Sequence, residues 1–292
     1  MYQTILVPLD GSDLAERALP IAETVARASG AKILLLRVVP PATPESATRG
    51  EYAAEVEEAE KYLASVAARL TKSCGVETRL VEGDPAASIE ADVAAHRADL
   101  IAMSTHGRSG FGRWIYGSVA DEVMRRAVVP VLLVPASSYA TWPRDRAPRI
   151  LVPLDGSGRA EDALGPASEL ARSLGAEILL VRVVEPHPMT YGDPSAVFID
   201  PTLEIDAARD YLKEKAEQLR AQGFNVKTTD SFGFAVSTIL DVVREQGADL
   251  IAMSTHGRSG ISRFLMGSAA TGIVQRSTVP ILIVRPSEPA ST

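Results

Sequence analysis

The stretch ILVPLDGS runs from Ile5 to Ser12 and returns letter for letter from Ile150 to Ser157. A longer one, ADLIAMSTHGRSG, fills Ala98–Gly110 and returns complete at Ala248–Gly260. The first block recurs 145 residues on and the second 150 residues on, so the second copy carries a net insertion of five residues. The Pro-containing stretch Glu185–Thr202 is its simplest location. A period this long is the size of a domain, well beyond the ~20–50 residues of a solenoid unit. The sequence therefore predicts one domain at residues 1–135, a second at 149–292, and a polar linker, ASSYATWPRDRAP, over Ala136–Pro148.

Working outward from the first block, the elements alternate. Thr4–Pro8 and the near-continuously apolar Lys32–Val39 read as strands, the second with both faces covered. Between them, Leu14, Ala18, Ile21, Ala22 and Val25 stand at helical spacing, so a helix is predicted over Ser12–Ser29, closed by Gly30. Tyr52, Val56, Ala59, Leu63, Val66 and Leu70 form the stripe of a long amphipathic helix. Val76–Glu82 reads as a strand. Pro85–His96 reads as a helix with Asp84 as N-cap and Pro85 in first position. Leu100–Ser104 is a strand, Ser118–Ala127 a helix and Val129–Val134 the last strand. Alternating β and α elements predict a parallel sheet with helices on both faces. In such sheets ligands bind beyond the carboxyl ends of the strands where strand order reverses. The polar strand ends here are Asp10-Gly11-Ser12 and the loop after Ser104. The first and fourth strands are thus predicted to be neighbours with the site between them.

The composition bounds the function. With 46% hydrophobic and 23% charged residues, each copy is able to bury a core. A net charge of −7 argues against a nucleic-acid partner, while a local loop binds a small anion whatever the global charge. The single cysteine, Cys74, excludes an intrachain disulfide or a cysteine metal cage. A signal peptide and an apolar run of membrane-spanning length are both missing from the sequence, so a cytoplasmic protein without a membrane partner is expected.

The loop after the fourth strand carries the chemistry. It reads STHGRSGFGRWIYGS over Ser104–Ser118 and STHGRSGISRFLMGS over Ser254–Ser268. Successive backbone N–H groups in a strand-to-helix turn form an anion-binding concavity, and the following helix adds its positive end. Arg108 supplies a cation, and Ser118 is a candidate cap or phosphate donor. Neither GxxxxGK[ST] nor GxGxxG is present, which sets aside the folds those motifs mark. The two copies have drifted elsewhere, as between Glu51–Ser73 and Leu203–Gln222, but not in this loop or in ILVPLDGS. Drift that spares two blocks expected to meet favours a shared site.

The order Pro8-Leu9-Asp10, strand end Val38, then Ser104-x2-Gly107-x9-Gly117-Ser118, resembles the universal stress protein family. That family's ATP-binding pattern is G-x2-G-x9-G-[S/T], and this chain carries S-x2-G-x9-G-S twice. Ser104 and Ser254 replace the first glycine, at a strand end where the change is expected to be tolerated. The resemblance covers nearly the whole chain, as a tandem two-domain member of the ATP-binding type. It implies two Rossmann-like domains (adenine nucleotide alpha hydrolase-like), each a five-stranded parallel sheet with helices on both faces. It implies ATP as cofactor, with the Mg²⁺ that usually accompanies a triphosphate.

Residue by residue, the resemblance places Asp10 and Asp155 at the adenosine end, beside Pro8, Leu9, Pro153 and Leu154. The backbone at Val38 and Val183 would line the adenine slot. Gly107, Arg108, Ser109, Gly110, Gly117, Ser118 and Val119 would surround ribose and phosphates, as would Gly257, Arg258, Ser259, Gly260, Gly267, Ser268 and Ala269. Met103 and Met253 pack either on the base or in the core. His106 and His256 read as structural or ligand-orienting, since no nucleophile pairs with them; no catalytic residue or protein metal site is expected. His96 and His187, without counterparts, are expected at the surface. The last strands are sheet-edge candidates, and the resemblance suggests an intrachain pseudo-dimer through them, with a homodimer left open. Three functions stay open: an ATP-binding stress-response regulator, a slow ATPase or nucleotide-transfer enzyme, and a dimerising module with relic sites. Hydrolysis needs a residue that orients water near the γ-phosphate, and none is evident.

Overall fold

The computed structural model describes residues 1–44, 50–105, 117–136, 138, 142–143, 145–186, 201–255 and 266–285. The chain divides into two compact units, Met1–Trp142 with Thr278–Arg285, and Pro143–Ser277 with Pro286–Thr292.

In the first unit the chain runs β1 (Thr4–Pro8), α1 (Asp13–Glu16), α2 (Leu19–Ser29), β2 (Lys32–Val39), α3 (Glu51–Leu70) and β3 (Val76–Glu82). It continues through α4 (Pro85–His96), β4 (Leu100–Ser104), α5 (Ser118–Arg126) and β5 (Val131–Val134). The strands lie in the order β3-β2-β1-β4-β5, each pair parallel. The expected neighbours do meet: Ile5 lies opposite Leu100 and Leu6 opposite Ile101. Strand order therefore reverses at β1, and a crevice opens beyond the ends of β1 and β4. The sheet's centre is its core, with Ile5, Leu6, Leu34, Leu35, Ile101 and Leu132 wholly removed from solvent.

The second unit repeats the pattern: β6 (Arg149–Pro153), α6 (Gly158–Glu161), α7 (Leu164–Leu174), β7 (Glu177–Val184), α8 (Pro201–Ala221), β8 (Val226–Phe232), α9 (Ala235–Gln246), β9 (Leu250–Ser254) and α10 (Ser268–Arg276). Its strands run β9-β6-β7-β8, again parallel, with Ile150 opposite Leu250. The strand that closes the second sequence copy, β10 (Ile281–Val284), packs with the first unit. It pairs antiparallel with β5, Leu282 opposite Leu132.

Two predicted elements come out differently. The helix expected over Ser12–Ser29 breaks between Glu16 and Leu19. Pro20 has no N–H to give the Glu16 carbonyl, and its ring crowds that carbonyl, so the helix restarts around it. Pro166 coincides with the same break in the second copy. The strand expected from Val129 begins at Val131, because Pro130 cannot donate to a ladder and offers only its carbonyl, which accepts from Ile101 N at 3.0 Å.

Candidate functional site

Each half of the site is built by a short piece of sequence. Leu9 N donates to Leu36 O at 2.8 Å, prolonging the β1–β2 ladder by one residue. The Asp10 carboxylate then accepts from Ser12 N at 3.0 Å and Ser12 Oγ at 2.6 Å. Ser12 Oγ itself accepts from Ala15 N at 3.2 Å and caps α1. An aspartate that binds the backbone two residues on closes a tight turn, and Gly11 makes it possible with φ +83°. The second unit repeats it: Asp155 accepts from Ser157 N at 2.9 Å and Oγ at 2.6 Å, with Gly156 at φ +86°.

On the β4 side, Ser104 is the last strand residue, paired with Val134 and buried. Arg97 is the one non-glycine residue with positive φ among the described residues, so Ser104 needs none of a glycine's freedom. Thr105 follows it and stitches three segments together. Its N donates to Val134 O at 3.0 Å, its Oγ1 accepts from Ala136 N at 3.2 Å, and its O accepts from Gly117 N at 2.8 Å. That last bond sets the start of α5. Gly117 is the N-cap and no side chain caps the helix, so Ser118 is its first residue rather than its cap. The first turn, Ser118 to Ala120, thus begins with backbone donors that a helix cannot satisfy internally. In the second unit Gly267 N donates to Thr255 O at 2.8 Å, and α10 is likewise uncapped by any side chain.

Between these halves of the first unit lies a cavity of about 290 Å³. Of the residues singled out in the sequence, Pro8, Leu9 and Asp10 line it from β1, Val38 from β2, Met103 and Ser104 from β4, and Gly117, Ser118 and Val119 from α5. Their counterparts Pro153, Leu154, Asp155, Val183, Met253, Ser254, Gly267, Ser268 and Ala269 hold the same element positions in the second unit. His106, Gly107, Arg108, Ser109 and Gly110 lie outside the described residues, as do His256, Gly257, Arg258, Ser259, Gly260 and His187.

Sequence reasoning missed Leu36, Pro85, Ile89 and Thr105, all of which line the cavity. Leu36 was within reach of the strand period, since it shares a face with Val38 two residues on. Pro85 and Ile89 stand four apart on one face of α4, but nothing in their letters says that this helix covers the site. Thr105 gives no signal, because its role rests on hydrogen bonds to Gly117, Val134 and Ala136, all distant in sequence. His96, expected at the surface, is half-buried, its Nδ1 3.0 Å from the Asp92 carboxylate. Burial pushes the Cys74 thiol up, which makes it less reactive.

The universal stress protein family profile matches residues 1–135 and again 147–285. The chain belongs to the universal stress protein family. A universal stress protein of Mycolicibacterium smegmatis is 26% identical over 295 residues, covering 97% of this chain and 97% of its own length. One from Thermus aquaticus is 36% identical over 137 residues, 46% of this chain and 99% of its own. The solved universal stress protein of Archaeoglobus fulgidus superposes with a TM-score of 0.66 at 22% identity, over 98% of this chain and 97% of that one, a likeness of fold. As a tandem universal stress protein, the chain has two family domains of α/β Rossmann type in mostly parallel sheet. Among the described residues no helix is long and apolar enough to cross a membrane.

Proposed function

We propose that the chain is a nucleotide-binding stress-response regulator that holds ATP at two pseudo-equivalent sites. One observation carries the reading: a single cavity brings together an anchored carboxylate, an apolar wall and an uncapped helix start. Its ~290 Å³ lies at the small end of the ~300–1,000 Å³ typical of ligand sites. The residues suit an adenine nucleotide. Leu9, Val38, Ile89 and Met103 offer apolar contact to a flat base. Asp10 accepts hydrogen bonds from a hydroxyl or amine and repels phosphate. The Ser118–Ala120 amides and the positive end of α5 suit an anion. ATP brings Mg²⁺ on its phosphate oxygens. The Gly107–Gly110 and Gly257–Gly260 segments complete the phosphate side of this reading, and a cytoplasmic nucleotide pool is its setting.

Heat denaturation of the purified protein, followed by anion-exchange chromatography of the supernatant, tests the occupant. Released ATP is expected; ADP alone points to hydrolysis, and release of no nucleotide with no binding of added ATP removes the reading. A Gly117→Glu substitution puts a carboxylate at the helix start. It is expected to reduce ATP stoichiometry in calorimetry from two to one, and an unchanged stoichiometry rejects the site assignment.

A further inference from the structure

The two strands β2 and β7 read KILLLRVV and EILLVRVV, apolar runs broken at the same register by Arg37 and Arg182. A cation in a covered strand is costly unless its surroundings compensate. Arg37 is only 7% exposed. It alternates with Leu36 and Val38, which line the cavity, so its side chain leaves the sheet on the opposite face.

There each guanidinium has two neighbours. One is an aromatic ring, with Arg37 5.7 Å from the Tyr62 centroid and Arg182 5.0 Å from that of Tyr211, inside cation–π range. The other is the turn that carries the site carboxylate. A Cβ on Gly11 would stand 2.4 Å from Arg37 Nη1, and one on Gly156 would stand 3.2 Å from Cζ, Nη1 and Nη2 of Arg182 alike. Equal distances to all three atoms mean that the plane of Arg182 lies flat on the glycine. Glycine is favoured at these positions for its positive φ, and its lack of a Cβ leaves room for the arginine to approach.

The same four residue types recur in both units. Burial, then the Glu16 charge, push the Tyr62 hydroxyl up, with Arg37 opposing and Asp10 adding to the rise. Tyr211 is pushed up by burial and by its hydrogen bond to Glu161, with Arg182 opposing and Asp155 adding. The Tyr211 hydroxyl donates to Glu161 at 2.8 Å, and Lys215 pairs with the same carboxylate at 2.8 Å. In each unit the tyrosine therefore lies within electrostatic reach of the arginine, the glutamate and the site aspartate.

We propose that Arg37 and Arg182 are positioning residues: each braces the Asp-Gly-Ser turn from behind the sheet and fixes the carboxylate that faces the ligand. The proposal rests on the nucleotide-binding reading for its ligand, but not for its geometry. An anchored carboxylate selects ligands that present a hydroxyl or amine donor to it; a loosened one loses that selectivity before it loses the rest of the binding energy.

The test uses the full chain with Arg37→Met and Arg182→Met together, beside a paired Arg→Lys variant that keeps the charge. Calorimetry with ATP and with 2′,3′-dideoxy-ATP reads selectivity. The methionine variant is expected to lose about tenfold in ATP affinity, a loss of 1.4 kcal/mol, with little change for the dideoxy nucleotide. The lysine variant is expected to fall between. Equal losses for both nucleotides, or selectivity unchanged, overturn the proposal. Amide hydrogen exchange at Ser12 and Ser157, which reports the bond to the aspartate with no ligand present, is expected to quicken in the methionine variant relative to the β1 and β6 amides. Exchange that stays the same overturns the positioning role. Quickened exchange in a protein that binds neither nucleotide leaves the brace in place and removes the functional reading alone.

Discussion

The corner between β3 and α4 and its counterpart between β8 and α9 are the same turn built from different chemistry. In the first unit Gly83-Asp84-Pro85 enters the helix with Asp84 accepting from Ala87 N at 2.9 Å, and Pro85 has no N–H to satisfy. In the second, Gly233-Phe234-Ala235 has neither device. The Ala235 N–H that replaces the proline is taken by Glu185 Oε1 at 2.9 Å, reaching from the end of β7. Relieved of capping, position 234 holds a phenylalanine that is 71% exposed, next to Phe232 at 52%. The helix pair behind it was exchanged as a set too. Ala86 and Glu122 of the first unit become Val236 and Gly272, and a Cβ on Gly272 would sit 2.8 Å from Val236 Cγ2. The Asp-Gly-Ser turn and the threonine-to-glycine bond, by contrast, are alike in both units. Helices covering the cavity tolerate change in compensated groups, whereas the backbone that aims the carboxylate and the helix start does not.

The largest effect is expected from undoing one half of an exchange. Gly272→Glu restores the first unit's residue against the second unit's valine and should cost about 1–2 kcal/mol by overpacking, read as a lower denaturant midpoint. Adding Val236→Ala should return the loss; if the single variant is as stable as the parent, the two positions were never coupled. Removing the caps sharpens the contrast at smaller scale. Asp84→Ala should cost about 1 kcal/mol and Glu185→Ala about 0.5 kcal/mol, while Phe234→Ala should leave the melting temperature unchanged. A large loss at Phe234 would show that the exposed ring packs on something. The smallest effect is alkaline. Tyr62 and Tyr211 titrate higher when folded than when unfolded. Above about pH 10 the unfolded chain gives up protons that the folded chain keeps, so stability falls as pH rises. A Tyr62→Phe, Tyr211→Phe variant should show a shallower loss between about pH 10 and 11, and an identical slope would place the titration elsewhere.

What the letters disclosed was whatever depends on local spacing. Asp84 and Pro85 mark the start of α4 to the residue, and the near-continuous apolar runs of β2 and β4 match their observed limits. The adjacency of β1 and β4 followed from where the polar strand ends fall. What stayed hidden depends on pairs distant in sequence. Arg37 reads as a blemish in an apolar strand until Gly11 and Tyr62 are seen beside it. Pro20 was visible and should have split the first helix, yet the regular stripe of Leu14, Ala18 and Ile21 masked it.

The antiparallel seat of β10 against β5 has a consequence for how this polypeptide is made. A protein cut at the boundary between its sequence copies would leave Val131–Val134, four fully covered residues, with one row of amides and carbonyls open to any passing strand. On the ribosome that row waits until the second copy has been made as far as β10, so the growing chain is sticky along one edge until that strand arrives to cover it.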